Sequence, residues 1–263
     1  MEYSVTMKYA LVTGASKGIG RELAKGLASR GYGLLLVARS AELLESLASE
    51  LRDAHQVDVQ VRVQDLAEPG AALAIQNWLH QGAWPLNVLV NNAGYGLWGS
   101  SDRLDIRHQL QLLQVNMITL FELSLRCAPM LEKTAPSYLL NVGSMAGLQA
   151  MPTLNAYAAS KAFVNSFTRG LRHELKPRGI TVTLLAPGSV DTHFIEVSGM
   201  QHMQEKARRM SLSAKEVAGK SLDALFNRKS EVIPGFGNQI MALAIKVLPK
   251  SWVENLAASL YRN

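Results

Sequence analysis

One cysteine, Cys127, stands in a chain of 263 residues. A lone thiol excludes a disulfide within the chain and removes any need for an oxidising compartment. Set in the apolar run 123–130, it reads as a buried, inert thiol and not as a nucleophile. Long hydrophobic runs are also absent: no stretch reaches the about 20 apolar residues of a membrane-spanning helix, and residues 1–8 lack the apolar segment of a secretory signal. The expectation is a soluble, cytoplasmic protein. Concentrated charge is missing too, because the net +6 is scattered and the densest basic group, residues 206–209, is short. That pattern argues against nucleic acid as a partner and leaves a basic surface that suits phosphorylated cofactors or anionic lipid. No residues are assigned to a metal.

What is present has the make-up of a folded domain, with 48% hydrophobic and 18% charged residues. Short β-branched or leucine-rich runs fall at 9–13, 33–38, 57–63, 88–91, 138–142, 181–186 and 231–233. Helical patterns fill 18–29, 40–54, a less regular stretch after Pro69, 103–131, 155–175 and 214–227. Such alternation predicts an α/β fold: one domain with a seven-stranded, mostly parallel sheet and helices on both faces. No repeat or linker divides it. The domain is expected over 1–238, with an amphipathic helical extension over 239–263. A methionine-rich interval at about 193–212 is expected to act as a lid over an apolar substrate.

Gly14, Gly18 and Gly20 occupy the turn between the first strand and the first helix, with Ser16, Lys17 and Ile19 among them. Glycines there let the backbone approach a pyrophosphate while the helix N-terminus offers free N–H groups. The spacing differs from the commoner G-x-G-x-x-G, so the strand before it and the helix after it carry the argument. At the end of the second strand, where an acidic residue would hold a ribose 2′-hydroxyl, the sequence has Arg39 and no Asp or Glu. Arg39 and Lys17 together suit a 2′-phosphate, so NADP(H) is expected over NAD(H).

Tyr157 and Lys161 lie four residues apart in the helical pattern at 155–175, and Ser144 precedes Tyr157 by thirteen residues. On a helix, that spacing stacks the ammonium beside the phenol. A free tyrosine has a pKa of roughly 10, and a neighbouring cation lowers it toward useful proton transfer.

These residues resemble the compact single-domain short-chain dehydrogenases/reductases, and the likeness runs from about Tyr9 to Thr192. It includes the Thr13–Gly20 turn, Asp65-Leu66, Asn91-Asn92-Ala93-Gly94, Asn116, Ser144, Tyr157 with Lys161, and Pro187-Gly188-Ser189-Val190-Asp191-Thr192. The resemblance implies a Rossmann-type sheet, with Asp65 and Leu66 near the adenine and Asn92, Ala93 and Gly94 supporting the cofactor. Pro187, Gly188, Val190 and Thr192 would line the nicotinamide side. Ser144 would hydrogen-bond the substrate carbonyl, Tyr157 would donate the proton, Lys161 would hold the nicotinamide ribose, and Asn116 would anchor a relay water. Residues 103–131 and the Tyr157 helix would form a dimer or tetramer interface. One departure stands out: Gly143 precedes Ser144 where many relatives carry a second serine.

The expected activity is NADPH-dependent interconversion of a carbonyl and an alcohol. An apolar ketone, aldehyde or oxo-acyl group is suggested by Trp98, Leu148 and Met151 as pocket lining. The competing reading is a non-catalytic, NADPH-responsive interaction protein using residues 238–261, an amphipathic stretch broken at Pro249. Ser251 and Glu254 suit a capping box for its second half. Lys246, Lys250 and Arg262 flank its apolar residues, so contact with an anionic membrane ranks behind packing on the domain, a subunit or the cleft.

Overall fold

The computed structural model describes residues 7–191 and 211–261. Seven strands form one sheet in the order β3-β2-β1-β4-β5-β6-β9: β1 (Tyr9–Thr13), β2 (Gly33–Ala38), β3 (Val59–Val63), β4 (Leu86–Asn91), β5 (Ser137–Val142), β6 (Ile180–Leu185) and β9 (Glu231–Val232). Every neighbouring pair in it is parallel, with Val12 opposite Leu36 on one side and Val90 on the other. Two further strands, β7 (Val190–Asp191) and β8 (Leu212–Ser213), pair in a small parallel ribbon. They were not foreseen, being only two residues each.

Strand alternation sorts the apolar residues into two cores. Ala10, Val12, Leu34, Leu36, Val88 and Val90 face one side and pack with α1 (Gly18–Ala28), α2 (Ala41–His55) and α7 (Ala214–Phe226). Leu11, Leu35, Val37, Leu89 and Leu139 face the other and pack with α3 (Ala71–Gly82), α5 (Leu120–Lys133) and α6 (Asn155–Leu175). Both faces are therefore covered, which is why the strands read as nearly continuous apolar runs. Ser40 caps α2 by accepting from the Leu43 N–H, and Ser213 with Glu216 closes a capping box on α7.

The stretch expected as one helix over 103–131 is divided. It begins as α4 (Ile106–Leu113), widens into a π-helical turn at Gln114–Thr119, and resumes as α5. The C-terminal stretch forms α8 (Phe236–Val247) and α9 (Lys250–Tyr261) on either side of Leu248-Pro249. Ser251 lies inside the first turn of α9 and not ahead of it, so it does not sit at the cap position. The boundary expected at 238/239 falls inside α8, which starts earlier because the chain turns at Gly235 with φ 93°. The lid expected at about 193–212 lies outside the described residues except for Ser211 and Leu212.

Candidate active site

The sheet order reverses direction between β1 and β4, where parallel sheets open a crevice beyond their C-terminal strand ends. The glycine turn follows β1 at that crevice. Gly14 adopts φ 66° and Gly18 φ 55°, both left-handed. A Cβ on Gly20 would overlap the Gly14 carbonyl oxygen and the Asn92 carboxamide, and one on Gly14 would come within 2.9 Å of Ala93 Cα. The turn is thus folded directly onto the loop after β4. Thr13 laces the two together: its Oγ1 accepts from the N–H groups of Asn92 at 3.0 Å and Ala93 at 3.2 Å, while Asn92 Nδ2 donates to the Thr13 carbonyl at 2.9 Å. This bare backbone ahead of α1 is a cradle of the kind a pyrophosphate requires.

Arg39 is exposed immediately after β2, and Lys17 is exposed in the glycine turn. Neither makes an ion pair among the described residues. Asp65 is half-buried after β3 and accepts from the Ala67 N–H at 2.9 Å, and Leu66 is buried in the core with its carbonyl accepting from Thr119 Oγ1 at 2.8 Å. Ser16 and Ile19 lie half-buried in the same turn, and Gly94 is exposed.

Ser144 follows β5 and caps a 3₁₀ turn at Met145–Leu148, with its Oγ accepting from the Ala146 N–H at 3.0 Å. Pro187 reaches the same loop after β6: its carbonyl accepts from the Met145 N–H at 3.0 Å. Gly188 packs against Asn238 of α8 so closely that a Cβ would lie 2.7 Å from its Oδ1. Val190 enters the β7–β8 ribbon, and Thr192 lies outside the described residues.

Helix α6 brings the titratable groups. Tyr157 is half-buried, and Lys161 Nζ lies 5.8 Å from the centre of its ring. Lys161 is 4% exposed and donates to the Val142 carbonyl at 2.8 Å. Burial, with no carboxylate partner among the described residues, pushes its ammonium down to about 8. Gly147 lets the 3₁₀ turn rest on α6, since a Cβ there would overlap the Lys161 carbonyl carbon. The Ser144 loop and the Tyr157–Lys161 pair are therefore held together by backbone contact.

Asn116 sits fully buried in the π-helical turn, where the wider winding re-aims a side chain. Its Oδ1 accepts from the Tyr95 N–H at 3.1 Å, and its Nδ2 donates to the Tyr95 carbonyl and to Ser160 Oγ, both at 3.0 Å. Ser160 Oγ in turn donates to the Tyr157 carbonyl at 2.7 Å. The carboxamide thus fastens the loop after Gly94 to α6. Trp98 and Ala146 pack against a small apolar cluster of Met151, Leu154 and Ala158 beside Tyr157, and Leu148 is half-buried in the 3₁₀ turn. Cys127 is fully buried and its thiol is pushed up to about 12 by that burial, which makes it unreactive.

Two contributors were not singled out from the sequence, Ser160 and Asn165, and Thr13 was named only as the start of the glycine turn. Asn165 is 2% exposed and hydrogen-bonds both the N–H and the carbonyl of Ser144. Its signal was a polar residue four positions after Lys161, on the same buried face of the helix as Lys161 and Thr168.

Comparison with known proteins agrees with this fold. The family model described as short chain dehydrogenase matches residues 8–202. A probable short-chain type dehydrogenase/reductase, VdlC, from Helicobacter pylori is 29% identical, covering 94% of this chain and 95% of its own. A short-chain dehydrogenase from Sphingobium yanoikuyae, solved in complex with NADPH, superposes with TM-score 0.82 at 29% identity over 91% of this chain and 92% of its own. A short-chain dehydrogenase/reductase from Burkholderia phymatum, solved with NAD, has the same fold with TM-score 0.82 at 24% identity, covering 99% and 97% of the two chains. The chain belongs to the short-chain dehydrogenase/reductase family, a family of Rossmann-type oxidoreductases that bind a nicotinamide nucleotide.

Proposed function

We propose that the protein reduces an apolar ketone, aldehyde or oxo-acyl carbonyl with NADPH, using Tyr157 as the proton donor. The observation that carries this reading is the buried Lys161 ammonium, held at the end of β5 by the Val142 carbonyl and 5.8 Å from the Tyr157 ring centre. A cation fixed there, with no carboxylate partner among the described residues, favours the phenolate form of Tyr157 and so eases release of its proton.

The glycine cradle fits a dinucleotide, and Arg39 with Lys17 at its rim supplies the donors for a 2′-phosphate. Asp65, Leu66, Asn92, Ala93 and Gly94 would border the adenosine side, and Pro187, Gly188, Val190 and Thr192 the nicotinamide side. The bound cofactor supplies the hydride to the carbonyl carbon. Ser144 orients the carbonyl oxygen through its hydroxyl, and Tyr157 transfers its phenolic proton to that oxygen as the C–O double bond becomes single. Lys161 stabilises the resulting phenolate and holds the nicotinamide ribose, and Asn116 anchors the water through which Tyr157 is reprotonated. Oxidation of the alcohol uses the same groups in reverse. Trp98, Leu148 and Met151 supply the apolar wall that favours a carbonyl without charge nearby. A cytoplasmic setting suits the single buried thiol.

An alternative is a non-catalytic NADPH sensor that recruits a partner through α8 and α9. The exposed Phe236, Leu243, Val247 and Trp252 favour it. The complete Asn116, Ser144, Tyr157 and Lys161 set favours the reductase.

Cofactor oxidation across a panel of apolar ketones, aldehydes and oxo-esters separates the two, each active compound being repeated with NADH. Turnover with NADPH at least tenfold more efficient than with NADH is the expected result. Tight NADPH binding with no turnover on any compound contradicts the reductase reading, and equal use of both cofactors contradicts the role of Arg39.

A further inference from the structure

We infer that Asn165 is a positioning residue for Ser144 and that Gly143 is glycine to make room for it, so that the two act as one complementary pair. The inference rests on the proposed reductase reading for its kinetic consequence only.

Three side chains on one face of α6, at positions 161, 165 and 168, grip the end of β5 in succession. Lys161 Nζ donates to the Val142 carbonyl at 2.8 Å, and Thr168 Oγ1 accepts from Asn141 Nδ2 at 3.1 Å. Between them Asn165 makes a two-point clamp on Ser144: its Nδ2 donates to the Ser144 carbonyl at 2.9 Å, and its Oδ1 accepts from the Ser144 N–H at 3.4 Å. All three residues are buried, at 4%, 2% and 1% exposure, so water cannot replace these bonds without a cavity. Clamping both peptide groups of Ser144 fixes its backbone relative to the Tyr157 helix and so the direction in which its Cα–Cβ bond points, which sets where its hydroxyl can meet a carbonyl oxygen.

Gly143 is not there for its conformation, since its φ is not among the positive values of the chain. A Cβ on it would overlap Asn165 Oδ1 and lie 2.9 Å from Leu184 Cδ1. Any larger residue at 143 must drive the carboxamide off Ser144. A side chain at 143 and the Asn165 clamp therefore exclude each other, and this chain has the clamp.

The pair predicts reciprocal rescue. Asn165→Ala and Gly143→Ser should each lower kcat about tenfold or more with NADPH affinity within about twofold of wild type. The double variant Gly143→Ser/Asn165→Ala, in which a serine occupies the vacated space, should recover to within about threefold of wild type. A purely structural role would add the two losses. Full kcat in Asn165→Ala, or a double variant no better than the product of the two losses, overturns the inference. If Asn165→Ala does not fold, Asn165→Ser carries the same test, because its short hydroxyl cannot span both peptide groups. A crystal structure of Gly143→Ala decides the point without turnover: a displaced carboxamide with a shifted Ser144 is expected, and an unmoved Asn165 overturns the pairing. A wild type that reduces no carbonyl would fail the reductase reading and leave this structural outcome to judge the pair.

Discussion

At the scale of single residues the site is governed by one buried charge. Lys161 carries an ordinary ammonium in the unfolded chain, while in the fold its burial lowers it to about 8. Between those values the unfolded chain holds a proton that the native protein has released, so this residue's contribution to stability rises with pH. That contribution is complete above about 10.4 and gone once pH falls through about 8, where the full penalty of roughly 3 kcal/mol is felt. Urea denaturation of wild type and Lys161→Met across pH 7–10 should accordingly show the wild type gaining on the variant by up to about 3 kcal/mol. A difference that stays flat with pH would mean that the ammonium is not desolvated. Arg39 gives a second residue-scale expectation. Arg39→Ala should raise the KM for NADPH about tenfold to a hundredfold, as loss of a charge-assisted phosphate contact implies, with little change for NADH. Equal effects on both cofactors would remove Arg39 from the 2′-phosphate site.

At the scale of elements, much of the molecule was legible in the sequence. Strands β1 and β2 and helix α6 fall at their expected limits, because each is bounded by glycine, a cap or a change of period. The break in 103–131 was not legible. A π-helical turn arises when one extra residue is accommodated in a packed helix, and the sequence 114–119 differs little from ordinary helix. The role of Gly147 was likewise hidden, since only the assembled structure places it on the Lys161 backbone. Gly147→Ala should therefore cost about 1–3 kcal/mol in stability and lower kcat by pushing the Ser144 loop away from α6. Thermal unfolding with steady-state kinetics checks both; unchanged values would mean that the loop yields without consequence. Asn116 was recognised, yet its carboxamide is committed to Tyr95 and Ser160, connections that depend on elements far apart in sequence.

At the scale of the whole molecule, two apolar surfaces stand open among the described residues. Ile106 and Leu110 of α4, Ile118 of the π-helical turn, and Phe121 and Leu125 of α5 are all more than a third exposed and follow one helical face. Self-association through α4 and α5, the expectation drawn from the family likeness, would cover this surface. A Leu110→Asp/Leu125→Asp variant should sediment at a lower mass than wild type at micromolar concentration. An unchanged mass would assign the oligomer, if one forms, to another face. The second surface follows α8 and α9, where Ala242, Val253 and Ala257 dock inward while Phe236, Val247 and Trp252 stay exposed. No helix among the described residues is long and apolar enough to cross a membrane. Sequence patterning marked the second stretch as amphipathic, while the first was expected as an interface only from the family likeness; what covers them depends on a partner, which no periodicity encodes. Turnover by Tyr157→Phe tests the central claim most directly, measured on the best substrate with folding and NADPH affinity checked alongside. The account predicts a folded variant that binds NADPH as wild type does and loses at least a thousandfold in kcat, since the proton donor is gone while the cradle is intact. A variant that retains wild-type turnover would contradict it.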